Sequence, residues 1–255
     1  MVSFPSKHHT RNLFSGVFSI NNKFNFGHVC LLSAKSNVFQ DCKKVEASWE
    51  AKSGNHVIAT CMDNAKEFSL GNMGTYLKSW GITMQITAPY SHSQNGKAKC
   101  FIQTTEDGAQ TLFANVKLTM SFWGDAALTI NYLHNHAPTV ALPSGITTFE
   151  VMNHHKPDLL NLHVWGCQSF VTIPPELCSK GGPDHFEAIL VGYEEDRIGW
   201  CAQDLQGKYH FSWDVIFNES VLVISHPFIK LMNLPLALQI LLLYPLVPLT
   251  ISIQH

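Results

Sequence analysis

Apolar residues recur along the chain at two spacings, and the spacings divide it. Between residues 36 and 133 the helical period dominates. Ser36-Asn-Val-Phe-Gln40 and the apolar positions of 45–49 predict a helix that runs up to a turn at Gly54. Met73, Tyr76, Leu77 and Trp80 stand at i, i+3, i+4 and i+7, with Gly81 where a left-handed helix end is expected. Ala98, Phe101, Ile102, Thr105, Ala109, Leu112 and Phe113 line one face of a long helix beginning near Lys97, which Gly108 should weaken. Ser121 is the expected N-cap of a further helix burying Trp123, Ala127, Ile130 and Leu133 and stopping before Pro138. Two β-branched runs between these helices, 55–62 and 82–88, read as buried strands.

From 162 to 219 the period changes. Short β-rich runs (169–173, 188–193, 209–213, 215–217) alternate with punctuation such as Lys180-Gly-Gly-Pro183, the pattern of a small barrel. The stretch 231–254 then carries no charged residue. It is long enough to cross a bilayer, but Pro235, Pro245 and Pro248 interrupt it. It reads either as translated sequence beyond a frameshift or as a tail anchor, and stable membrane insertion is not expected. As an exposed apolar tail it should lower solubility, so that deleting 231–255 should help.

At 255 residues the chain suits one or two domains with a real core. Charged residues make up only 14%, with 17 Lys+Arg against 19 Asp+Glu, a net charge of −2. That balance argues against strong nucleic-acid binding, which draws on phosphate neutralisation. Only Arg11 and Arg197 offer bidentate contacts to phosphate. The seven cysteines include no C-x-x-C pair, fitting reduced thiols inside a cell, in nucleus or cytoplasm. Met1–Arg11 has no apolar signal-peptide core. The pairs His8-His9, His134-x-His136 and His154-His155 are expected to be surface or core histidines, not zinc ligands.

Met62-Asp-Asn-Ala-Lys-Glu-Phe68 resembles the T-D-N-G-x-E-[FY] segment of integrases in Copia-type retrotransposon Pol polyproteins. Ala88-Pro-Tyr-Ser-His-Ser-Gln-Asn-Gly-Lys-Ala-Lys-Cys100 is similar to that family's S-P-Y-x-P-x-Q-N-G-x-A-E-R. Ser121-Phe-Trp-Gly-Asp-Ala126, Ala137-Pro-Thr139, Val164-Trp-Gly-Cys167 and Leu190-Val-Gly-Tyr193 follow in the family's order. The resemblance covers about 10–219. It implies an α/β, RNase H-like integrase core, a mixed sheet with flanking helices, followed by a small SH3-like β-barrel. The expected division is 1–155 for the core, with a shortened second and third strand region, 156–225 for the SH3-like module, and 226–255 for the tail. The loss would fall between Asn22 and Lys35, leaving 29–32 as a remnant and a sheet edge unpaired.

The resemblance also implies a site. In the family, three carboxylates hold two Mg²⁺ ions that activate the attacking oxygen and stabilise the leaving one during DNA strand transfer. Asp63 stands at the second carboxylate position and is the remaining metal ligand. Asn12 stands at the first. Lys99, separated from Asp63 by the family's 35 residues, takes the place of the glutamate. The three side chains then sum to zero charge instead of −3. Lys99 should pair with Asp63 in the space of the cations, so that no Mg²⁺ is bound productively. Tyr90, Gln94, Asn95 and Lys97 fall in the loop that the family places beside the DNA end, although Asn95-Gly96 also reads simply as a turn. The expectation is a degenerate, integrase-derived protein without catalysis, binding nucleic acid weakly and without sequence preference. The alternatives are a non-catalytic nucleic-acid-binding or integrase-interacting protein, and a pseudogene product without function.

Overall fold

The computed structural model describes residues 15–32, 37–62, 72–86, 96–116, 118–174, 176, 178, 181–222 and the backbone of 246–253. The chain forms two compact units. One comprises 12–106, 133–157 and 234–255, the other 1–11, 107–132 and 158–233.

The first unit is built on a five-stranded mixed sheet. Its strands are β1 (Ser15–Asn21), β2 (Gly27–Leu32), β3 (Val57–Met62), β4 (Thr83–Ile86) and β10 (Leu246–Ile253). They lie in the order β2-β1-β10-β3-β4. β1 and β2 form an antiparallel hairpin, with Ser19 opposite His28 and Val17 opposite Cys30. β2 contains the stretch 29–32 that the sequence offered as a remnant. Asn21 shapes the turn: its Oδ1 accepts from the N–H groups of Lys23 and Phe24 at 2.9 and 3.0 Å.

β10 lies in the middle of the sheet, parallel to β1 and antiparallel to β3. Part of the expected tail thus returns to the core sheet. The sequence carries the signal for it, because Leu249, Ile251 and Ile253 alternate with Thr250 and Ser252. Pro248, opposite Phe18, hides that signal, since a proline cannot donate to a ladder and is rare in central strands.

Helices α1 (Val38–Ser53), α2 (Asn72–Ser79) and α5 (Thr148–Asn153) share one core with the sheet. Val38, Cys42, Val45 and Trp49 of α1 meet Val17, Phe26, Val57, Leu77 and Met152 there. Trp49 and Phe26 pack edge to face at 6.3 Å. Val17 and Phe18 are neighbours on a strand and point to opposite faces, yet both are fully buried. Phe18 meets Phe101 of α3 (Gly96–Asn115) at 6.2 Å, so this sheet is covered on both sides. Gly54 and Gly81 end α1 and α2 with φ of 68° and 70°, as their positions predicted.

The second unit centres on an antiparallel sheet in the order β8-β7-β6-β5-β9. Its strands are β5 (Cys167–Thr172), β6 (His185–Tyr193), β7 (Trp200–Asp204), β8 (Tyr209–Ser212) and β9 (Val215–Leu222). Ala109, Val116, Leu118, Phe122 and Ala126 pack with Trp165, Ile189 and Val191. The helix expected to be capped by Ser121 begins instead as a 3₁₀ turn at Met120–Phe122 and continues as α4 (Trp123–His136). Thr119 is the cap of that turn, with its Oγ1 2.6 Å from Ser121 Oγ. Gly108 is explained by packing: a Cβ there would lie 2.9 Å from Ile130. Among the described residues no helix is long and apolar enough to cross a membrane.

Candidate functional site

Of the residues expected at the site, Asn12, Asp63, Tyr90, Gln94 and Asn95 lie outside the described residues. The elements that flank them are described. β3 ends at Met62, whose neighbours across the sheet are Ile86 and Leu249. α3 begins at Gly96 and exposes Lys97, Lys99 and Cys100 in its first turns while burying Ala98 and Phe101. The helical period forces this split, since 98, 101 and 105 share the face turned to the sheet.

Lys97 has a structural task. Its Nζ donates to the Asn22 carbonyl at 2.6 Å and to Asn25 Oδ1 at 3.3 Å, tying the start of α3 to the β1–β2 turn. Asn25 occupies the left-handed region at φ 58°. His134 holds the same turn from α4, with Nε2 donating to the Asn25 carbonyl at 3.0 Å. Burial holds the His134 imidazole below its ordinary pKa, with the bond to Asn25 opposing the shift. Asn135 then clamps Gly27 by exchanging two 2.8 Å bonds with its N–H and carbonyl.

Polar groups that sequence reasoning missed stand on the buried face of α1. Glu46 is 2% exposed and faces Thr60 of β3 and Tyr76 of α2. Burial raises its pKa to about 7. Tyr76 and Thr60 pull it back in part, although neither makes a well-formed hydrogen bond to it. Asp41, one turn from the start of α1, stands beside His28 and Cys30 of β2. The His28 Nε2 to Asp41 Oδ1 distance is 3.8 Å, and one ligand atom from each of the three residues lies within 4.8 Å of the others. Burial pushes the Asp41 carboxyl up, but His28, Cys30 and Lys44 outweigh it and hold the carboxyl below its ordinary range. Burial and the Asp41 charge push the Cys30 thiol up. No periodic pattern marks this trio, because its members come from a strand and a helix with a turn between them.

Of the histidine pairs, His8-His9 lies outside the described residues. His136 packs on Phe149 at 4.5 Å, His154 ends α5 at φ 61°, and His155 Nδ1 lies 2.9 Å from the Asn153 carbonyl. In the second unit, Tyr209 donates to Asp125 Oδ2 at 2.7 Å. Burial raises the Asp125 pKa to about 7, with the Tyr209 bond opposing it. The two residues border a cavity of about 50 Å³ that Cys201 and His210 also line. It has room for a water molecule or two.

Residues 167–227 match the family model of the retroviral polymerase SH3-like domain. Over 193 residues the chain is 31% identical to the retrovirus-related Pol polyprotein from transposon TNT 1-94 of Nicotiana tabacum, a match covering 75% of this chain. Over that stretch the chain resembles a retrotransposon Pol polyprotein. It spans only 14% of the length of that tobacco polyprotein. The 31% identity extends well beyond the SH3-like stretch. A solved simian T-cell lymphotropic virus intasome, in complex with PP2A regulatory subunit B56 gamma, shows a looser likeness. The match covers 80% of this chain and 78% of that one at 11% identity and a TM-score of 0.41.

Proposed function

We propose that this Copia-type chain is an integrase derivative that has lost DNA strand transfer and retains only weak affinity for nucleic acid. The observation that carries this reading is Lys99. It stands exposed in the first turn of α3, where the family's pattern has a glutamate. The side chains at the three family positions do not fit a pair of Mg²⁺ ions. An ammonium has donors only, and an amide in place of the first carboxylate offers no charge. The full chain should give no strand transfer or disintegration product with Mg²⁺ or Mn²⁺, and Lys99→Glu should not restore it while Asn12 remains. Metal-dependent joining by the unmodified chain, lost on Asp63→Asn, would overturn the reading.

The weak affinity follows from charge. Lys97 is engaged with the β1–β2 turn, and α3 carries Glu106 and Asp107 along its length. Few phosphates can be neutralised, so binding to a short DNA duplex should be micromolar or weaker, with a salt slope of about −2 or shallower. Fluorescence anisotropy across a salt series measures both. Nanomolar binding to a defined element end at physiological salt would contradict it. All seven cysteines are thiols, which supports residence in the reducing interior of a cell, in nucleus or cytoplasm.

A further inference from the structure

We propose that His28, Cys30 and Asp41 form a zinc(II) site between the β1–β2 hairpin and helix α1. His28 and Cys30 are two apart on β2, so the pleat sends both side chains to the same face, the one covered by α1. Asp41 meets them from the first turn of that helix. Their ligand atoms already lie within 4.8 Å of one another, and His28 Nε2 and Asp41 Oδ1 are 3.8 Å apart. Zinc held at about 2.0–2.3 Å from N, O and S donors sets tetrahedral ligands roughly 3.3–3.8 Å apart, so closure needs side-chain adjustments of about 1 Å or less.

Two further observations point to a ligand. Asp41 is 8% exposed, yet its Oδ2 is buried and has no hydrogen-bond partner among the described residues. Ser19, the cross-strand neighbour of His28, is fully buried and its hydroxyl likewise makes no hydrogen bond. Uncompensated polar atoms of this kind cost free energy in an apolar core, and a bound cation with its water would satisfy them. The donor set selects the metal. Thiolate and imidazole favour zinc over Mg²⁺ or Ca²⁺, which take oxygen ligands. A thiolate and a carboxylate together neutralise a divalent ion, and water fills the fourth position. The thiol proton leaves to solvent as the Zn–S bond forms, so no redox partner is required.

Cobalt(II) reports on the site directly. The reduced, chelator-treated full chain should take up one equivalent of Co²⁺ with a thiolate-to-cobalt charge-transfer band and tetrahedral visible bands, and Zn²⁺ should displace it. Cys30→Ser should remove the charge-transfer band and weaken zinc binding by about 10-fold or more, whereas Cys100→Ser, at an exposed position on α3, should leave both intact. Zinc should raise the unfolding midpoint of the native chain and of Cys100→Ser but not of His28→Gln. His28→Gln also serves as the site variant should Cys30→Ser fail to fold. No band with the folded native chain, or a band that survives the loss of Cys30 or His28, would overturn the assignment.

Discussion

Ending the chain after Tyr244 should abolish the cooperative unfolding of the core sheet. β10 contributes six residue pairs to β1 and five to β3, and it is the element that joins β2-β1 to β3-β4. Without it the sheet falls into two two-stranded ribbons, each marginal in water. Their inner backbone groups lose partners whose absence costs about 1–3 kcal/mol for each one left buried. The expected loss is the whole stability of the unit, on the order of 5 kcal/mol or more. Urea unfolding and amide hydrogen exchange of β1 and β3 measure it. Pro248→Val restores a backbone N–H to a strand with a neighbour on each side, and should raise the unfolding midpoint. A truncated chain that keeps one sharp transition would show that the sheet does not depend on β10. The sequence alone led to the opposite expectation, because an apolar, proline-broken tail reads as a solubility liability until its partner strands are known.

Raising the pH from 4.5 to 8 should weaken the same unit, and Glu46→Gln should remove most of that slope. Burial raises the Glu46 pKa in the folded chain to about 7, above the ordinary 4.5. The native state therefore binds the proton more tightly than the unfolded one. The contribution of protonated Glu46 to stability is complete below about pH 4.5 and is lost as the pH rises through 7, in total about 3 kcal/mol. Glu50 adds to the upward shift and Lys43 opposes it, so both remain in place in the variant. Unfolding midpoints of the native chain and of Glu46→Gln between pH 4.5 and 8 test the point. Equal slopes would show that Glu46 is not the group responsible. Asp125 shifts in the same direction in the other unit, which makes the difference between variant and native chain the informative quantity.

Much of the local structure was legible in the residues. Gly54 and Gly81 end helices because they are reached at the close of a 3.6-residue pattern and tolerate the left-handed backbone. β3, β4, α2 and α3 follow from apolar period and length alone. The order of motifs that carries the family resemblance was equally visible, since it needs no contact map. Other readings required the fold. Gly108 looks like a defect until Ile130 is seen against it, and the bonds from Lys97 Nζ to the Asn22 and Asn25 oxygens join residues more than 70 positions apart.

The sequence by itself carried the resemblance to Copia-type Pol polyproteins, the two spacing regimes and the residue types in the family's motif order. These are properties of residue types and their separation along one chain. The tertiary structure decided which strand stands in the centre of the core sheet, which carboxylates are buried, and that His28, Cys30 and Asp41 meet. Each of these depends on partners brought together by packing: Phe18 and Pro248 are 230 residues apart and share one rung. Local propensity is blind at that range, because strand pairing and side-chain burial gain their free energy only after the loop between the partners has closed.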